Sequence, residues 1–591
     1  MVRTTVVRRL LAAVAACIVF ASACAGDDTD GDTGATEQET TTTTSPEDGD
    51  DGSGSEADDE PSYGGRIVIG LEGETGNWLP GTGQFATSGV SVAMSIYDPL
   101  MVLTEDGTLE PNLAESLEPN DDLTEWTMTL RDGVVFHDGS ALDAEAIKWN
   151  FDTLHADPSA VTYGSVESAG IEEVEVVDDL TVVWRLADTN AGFPDVLRTA
   201  VGWPVSPSAY EERGAEGLGE HPVGTGPFRF VEWRRDDRFA AERNDDYWRT
   251  DPDGNQLPYL DEVEFRPIPD EDSRVQSLAA DSVQVISTLR GSSIKAVMNM
   301  VDEGGFGGNL FVGNTSGASI FNTLVPPVDD VRIRRALAYA GDAEAVAVVL
   351  GDEELVPITT TFFSVDSPWF SETASAAYPG ADGRDLETAQ ELIEEYRSDP
   401  DRSDGRAPGD PIEITYSCPP DPSLVEIGQL LQSLWGEAGV EVHLESVEQP
   451  TLVSNAVGSA DDDPPWSGDY QVNCWRAGAT LGDPLTTFQN FFGPPESTPG
   501  NYTNFSHPDI DEAIDQLRSE VDFEARYEAT EQINLVANEH VPLTWGVGTP
   551  TYVGWRGDVR GIADWVTPSG TPGNGTAEGR VIVHQAYLAD E

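Results

Sequence analysis

Trp475 and Arg476 stand side by side in the stretch Cys474-Trp475-Arg476-Ala477-Gly478-Ala479-Thr480. A guanidinium can clamp a carboxylate or phosphate through two parallel hydrogen bonds, and an indole can stack on a flat group. The stretch follows a strand-like run, Asp469-Tyr470-Gln471-Val472. Open α/β sheets bind ligands beyond the carboxyl ends of their strands. Each residue also has a plainer use, Arg476 in a surface ion pair and Trp475 in a core. Trp78, in the loop Glu72-Gly73-Glu74-Thr75-Gly76-Asn77-Trp78, is a second stacking candidate. Groups that would break bonds are missing. There is no Gly-X-Ser-X-Gly elbow, no His-Glu-X-X-His, no Walker loop and no dinucleotide Gly-X-Gly-X-X-Gly. The seven histidines do not pair at metal-ligand spacing, and Asp270-Glu271-Asp272 and Asp461-Asp462-Asp463 lack the twelve-residue calcium-loop pattern. No metal, cofactor or catalytic residue is expected.

Positioning these residues takes strands alternating with helices. Arg66-Ile67-Val68-Ile69 opens as a strand, and Thr124 to Leu130 puts Trp126, Met128 and Leu130 on one face. Phe228 to Trp233 and Phe239 to Arg243 read as a hairpin. Helical spacing covers Asp143–Leu154, Val331–Leu350, Leu386–Tyr396, Ser423–Ala438, Ile510–Leu517 and Ala525–Asn538. The second-last pair of strand runs, Val440–Leu444 and Pro542–Trp545, each follow a helix. This alternation argues for α/β lobes.

Charge and address narrow the function further. The chain has 591 residues with 32 basic and 107 acidic side chains, a net charge of −75. That balance excludes the counterion-releasing part of nucleic-acid binding and adsorption to anionic lipid. Arg3, Arg8 and Arg9 precede the apolar run Leu10–Ala23, the layout of a secretory signal over residues 1–23. Ala21-Ser22-Ala23-Cys24 resembles a bacterial lipobox with Ala in place of the usual Leu, so Cys24 is the expected lipidation site. The alternative is ordinary cleavage near Ala23. Residues 24–62 read as a disordered tether, because Asp27 to Pro61 carries 14 acidic and no basic residues. Cys418 and Cys474 remain, each at the end of a strand-like run. In an oxidising compartment they are expected to pair, two buried thiols being the alternative.

Five segments carry a resemblance. They are Pro111–Glu118 with Leu130–Gly139, Pro222–Phe228 with Glu242–Asn244 and Tyr247-Trp248, Pro258–Val263 with Arg274 and Leu278, Asp329–Leu337 with Asp342, and Gly482-Asp483-Pro484 with Phe488. In this order they resemble the extracytoplasmic solute-binding proteins of ABC importers, family 5, the oligopeptide, dipeptide and nickel type. The resemblance implies a two-lobed α/β fold like the periplasmic binding proteins, with an extra domain inserted in lobe one. Lobe one would take residues 63–108, 222–317 and 541–591, the inserted domain 109–221 and lobe two 318–540. The crossings would lie near Ser316–Asn322 and His540–Trp545, which makes Phe321, Asn322 and Trp545 further candidates. Peptide binders of the family often place a carboxylate four residues before the proline matched by Pro484. Here that position is Thr480, which cannot offer an ammonium the same charge-assisted bond. Asp483 could compensate, or serve as a turn residue. The motifs themselves read first as turns and a helix start: Asp132-Gly133, Asp138-Gly139, Gly224-Thr225-Gly226-Pro227 and Asp329–Arg335.

The expected function is capture of a peptide or related organic solute outside the membrane. Delivery would go to an ABC permease, from a monomer tethered by a lipid. The rival is a secreted hydrolase or sensor on the same scaffold, since fold alone does not fix function.

Overall fold

The computed structural model describes residues 61–589 apart from 158, 352–353, 356–357, 366, 459–461, 463, 465, 479–481, 494–500 and 574. The expected signal, Cys24 and all but the last two residues of the tether lie outside the described residues. In chain order the strands are β1 (Arg66–Leu71), β2 (Met101–Leu103), β3 (Leu109–Pro111), β4 (Ala114–Pro119), β5 (Glu125–Leu130), β6 (Ile171–Asp178), β7 (Thr181–Leu186), β8 (Phe228–Arg234), β9 (Arg238–Arg243), β10 (Glu262–Pro267), β11 (Val285–Thr288), β12 (Phe306–Phe321), β13 (Ile412–Cys418), β14 (Val440–Ser446), β15 (Val472–Ala477) and β16 (Leu543–Arg556).

One ten-stranded sheet runs β14-β13-β15-β12-β16-β11-β1-β10-β9-β8. β1 pairs in parallel with β10 and β11 and shows the continuous burial of a strand covered on both faces, Ile67-Val68-Ile69-Gly70-Leu71. The expected hairpin is β8–β9, antiparallel from Phe228↔Arg243 to Arg234↔Arg238. A separate four-stranded sheet, β4-β5-β7-β6, carries its own core with Trp126, Met128, Trp184 and Phe193. That core ends at Val201. Trp203, Val205, Ala209 and Leu218 belong instead to the cluster that holds Ile67, Ile69 and Phe265.

β12 and β16 carry the chain between the lobes. At 16 and 14 residues they are about 50 Å long, enough to run through both cores. Phe306–Val312 pairs with Pro550–Arg556 on the lobe-one side, and Ala318–Ile320 pairs with Leu543–Trp545 on the lobe-two side. Between them the register shifts twice, at Val312/Ser316 and Ser316/Ala318. Bulges loosen the ladder and raise local twist there.

Aspartates do much of the local shaping. Asp143, Asp270, Asp330, Asp342, Asp385, Asp421 and Asp522 each accept a backbone N–H at the start of a helix. Asp342 explains one departure from the sequence reading. Val331–Leu350 is not one helix but two, Val331–Ala340 and Ala343–Leu350, because Gly341 ends the first and Asp342 caps Ala345 N at 2.9 Å to start the second. Asp270-Glu271-Asp272 likewise begins a helix, with the Glu271 carboxylate taken up by Thr288, Leu289 and Arg290. The turn Gly224-Thr225-Gly226-Pro227 needs glycine for space, not for positive φ. A Cβ on Gly224 would lie 2.2 Å from the Ile96 carbonyl oxygen, and one on Gly226 2.6 Å from the Ile96 carbonyl carbon.

Two histidines make the body sensitive to acid. His137 Nε2 lies 2.9 Å from the Gly226 carbonyl oxygen, and His155 Nδ1 lies 2.9 Å from Thr162 Oγ1. Burial pushes both imidazoles down to about 4 from an ordinary 6.5. The unfolded chain therefore takes up protons first as pH falls. Their stabilisation is complete above the unfolded value of 6.5 and is lost toward 4, at about 1.4 kcal/mol per pH unit for each group. Urea unfolding at pH 7 and pH 5 should show the loss, and His155→Gln should make the slope shallower. An unchanged slope in that variant contradicts the assignment.

Candidate functional site

β15 lies beside β12 where the chain crosses between lobes. Their ladder sets Cys474 against Ser319, Trp475 against Ala318, Arg476 against Gly317 and Ala477 against Ser316. Gly317 has no side chain to cover its partner, and Arg476 is exposed, with no hydrogen bond or ion pair among the described residues. In lobe two Arg332, Arg384, Arg397, Arg402, Arg406 and Arg526 meet carboxylates, whereas Arg335 donates to the Glu539 carbonyl oxygen and Arg518, like Arg476, meets no carboxylate among the described residues. Arg334 is buried and donates from Nε and Nη1 to four carbonyl oxygens: Val328, Asp329, His540 and Val541. Burial pulls its guanidinium down to about 10. Trp475 is half-buried, its ring 5.1 Å from that of Tyr502.

Asn473 was missed in the sequence. It lies on β15 at 1 % exposure, and neither amide atom finds a partner among the described residues. Leaving such a group unsatisfied costs on the order of 1–3 kcal/mol. The available signal was an asparagine inside a strand-like run, a residue depleted there.

The other candidates separate from this group. Thr480 lies outside the described residues. Trp78 is a core residue, with its ring 4.9 Å from Phe239 and 5.5 Å from Trp233 and an exposure of 1 %, so it has no face left for a ligand. Phe321 and Asn322 are fully buried. Asn322 donates to the Ser467 carbonyl oxygen at 2.8 Å and accepts from Leu324 N and Asn504 Nδ2. Trp545 packs 4.8 Å from Phe362 and donates to Asn538 Oδ1 at 3.3 Å. All three are packed at the crossings, with their polar atoms taken up by protein groups. Asp483 caps the helix Pro484–Phe492 through Leu485 N at 2.9 Å and pairs with Arg526. Burial pushes its carboxyl up, and Arg526 offsets this only in part.

Among the described residues no group of three or more His, Cys, Asp and Glu could hold a metal ion, and no helix is long and apolar enough to cross a membrane.

The sequence model for bacterial extracellular solute-binding proteins, family 5, matches residues 108–499. The chain belongs to that family. The glutathione-binding protein GsiB of Pectobacterium atrosepticum is 32% identical over 266 residues, 44% of this chain and 48% of that protein. The chain thus spans about half the length of such curated relatives. The dipeptide-binding protein of Escherichia coli is 25% identical over 539 residues, 84% of this chain and 91% of that protein. The solved structure of the periplasmic binding protein DppA from Helicobacter pylori, in complex with peptide STSA, superimposes with a TM-score of 0.71. Its sequence identity is 18%, and 90% of this chain and 99% of that chain are covered. The likeness establishes the fold: two α/β lobes of the periplasmic-binding-protein kind. The relatives are binding proteins, and family 5 proteins act outside the cytoplasm.

β15 is also tied to its other neighbour. β13 and β15 run parallel with Tyr416↔Val472 and Ser417↔Asn473 in register, which brings Cys418 and Cys474 next to each other. Their sulfurs are joined, with Cα atoms 5.3 Å apart across 56 residues of sequence. On the chain-entropy account, closing a loop of that size stabilises by about 4 kcal/mol. The double variant Cys418→Ser/Cys474→Ser should lose free energy of that order in urea unfolding. Thiol counting on denatured, unreduced protein should find neither cysteine free, and two free thiols would refute the pairing.

Proposed function

We propose that this chain captures a small organic solute bearing a carboxylate, a peptide or a peptide-like molecule, between its two lobes and delivers it to an ABC permease. Cys24 carries the lipid that holds it at the outer face of the cell membrane, and residues 24–62 are the tether. The observation that carries the solute class is Arg476. Its guanidinium is exposed and meets no carboxylate among the described residues, and it stands where β15 pairs with β12 at the crossing between the lobes. A guanidinium there offers a carboxylate two parallel charge-assisted bonds. Asn473 and Trp475 alternate with Arg476 along β15 and point to its other face, so the guanidinium is the group this strand offers the solute. Thr480 gives no charge to an α-amine, so the acid end of the solute does more of the holding than the amine end. Glutathione and dipeptides, the ligands for which these relatives are named, fit this chemistry.

Calorimetry with glutathione, with Ala-Ala and with Ala-Ala amide tests the reading. The acids should bind and the amide should bind at least tenfold more weakly, the order expected when a charge-assisted bond is lost. Arg476→Ala should abolish the difference. Equal affinity for acid and amide in the native protein would contradict the role of Arg476. Binding by none of the three would remove the peptide-like class.

A further inference from the structure

The inserted domain reaches across to lobe two and meets it at buried charges. On the near side, Asp195 and Arg198 project from a segment anchored by Phe193 and Leu197, both fully buried in the inserted domain's core. Arg198 holds the Asp195 carboxylate with both ends of its fork, Nε to Oδ1 at 2.6 Å and Nη2 to Oδ2 at 3.2 Å. On the far side, Asp483 caps its helix and pairs with Arg526. Arg526 also donates from Nη1 to the carbonyl oxygens of Leu517 and Glu520.

The two sides touch closely. A Cβ on Gly482 would lie 1.9 Å from Asp195 Oδ1 and 2.8 Å from Arg198 Nη2, and one on Gly192 would lie 2.8 Å from Asp483 Oδ1. Hydrogen bonds between described residues cross the seam. Ala191 N donates to the Arg518 carbonyl oxygen at 2.7 Å, and Ser168 Oγ donates to Gln489 Oε1 at 3.1 Å.

We infer that Arg198 is the positioning residue of a closure latch, in which the inserted domain holds lobe two against lobe one while the solute is enclosed. The charge arrangement makes such a latch reversible. Each half is neutral by itself, Asp195 with Arg198 and Asp483 with Arg526. Parting them leaves no buried ion without its partner, the expensive outcome for a broken buried pair. What Arg198 gains on closure is the field of Asp483. Burial works against its charge, but Asp195, Glu578 and Asp483 more than offset this and hold it above its ordinary range. Asp195 and Asp483 repel across the same seam, which tempers the gain and keeps the latch reversible. Glu578, paired with Arg580 on the C-terminal segment, completes the junction. The strength of the seam then sets how long the solute is held, since a closed state favoured by contacts outside the ligand adds to the ligand's own preference.

The latch rests on the capture reading for its purpose but not for its test, which uses protein without solute. The Ala191 amide is a reporter confined to the seam, and the Leu130 amide, bonded to the Leu180 carbonyl oxygen, reports on the inserted domain alone. In Arg198→Ala, hydrogen exchange at Ala191 should speed up by about tenfold or more, within the usual span of coupling between sites. Exchange at Leu130 should stay unchanged. Arg198→Lys should fall between, keeping the charge and losing the fork. Gly482→Ala should speed Ala191 in the same way by pushing the seam apart with every charge in place. The latch is overturned if Ala191 exchanges at the native rate in both Arg198→Ala and Gly482→Ala. It is also overturned if Ala191 and Leu130 speed up together, which would mark Arg198 as a brace of its own domain.

Discussion

The pairing of β12 with β16 carries the whole architecture, because these two strands belong to both lobes at once. Their outer stretches are ordinary antiparallel ladder, Phe306–Val312 against Pro550–Arg556 and Ala318–Ile320 against Leu543–Trp545. Each end is fixed in its own core, Val553 in lobe one and Ile320 in lobe two. The bulged stretch between them is the part free to change twist without breaking either core. Everything with a claim to bind solute sits beside it. β15 pairs with the lobe-two half of β12, which places Arg476 opposite Gly317 at the point of crossing. The same junction is braced by Arg334, whose four carbonyl bonds tie the helix Val331–Ala340 to the turn at His540-Val541 before β16 begins.

Charge in this protein is used in three separate ways. Aspartates cap helices, as at Asp143, Asp342 and Asp421. Arginines are drawn inward and satisfied by carbonyl oxygens, as at Arg334 and Arg274. At the seam two neutral pairs face each other, Asp195–Arg198 and Asp483–Arg526. The exposed Arg476 guanidinium belongs to none of these uses among the described residues. The acidic surplus itself keeps the surface soluble and does not choose the fold.

How far the amino-acid sequence could be read depended on whether a signal was local. The β8–β9 hairpin and the helix Leu386–Ser398 follow from alternation and 3.6-residue spacing that need no partner. The division at Gly341-Asp342 is also local, but alanine on both sides hid it, and only the cap at Ala345 N reveals it. The glycines at 224 and 226 were legible as obligatory but not for the right reason, since the Ile96 carbonyl that crowds them is more than a hundred residues away in sequence. Trp78 illustrates the limit at a site. An indole in a loop after a strand looks available, and only the packing of Phe239 and Trp233 shows that it is spent on the core. Asp483 was visible as a turn residue, whereas its partner Arg526, 43 positions on, was not. Asn473 was not singled out at all, because an unpartnered amide is a fact of burial and not of spacing.

The central claim is that the lobes enclose a carboxylate-bearing solute at the β12–β15 crossing. Native mass spectrometry of the protein purified gently from its own producer tests this most directly. The account predicts a mass difference that is released on denaturation and belongs to a small molecule with at least one free acid group. A released molecule without any acid group would contradict it.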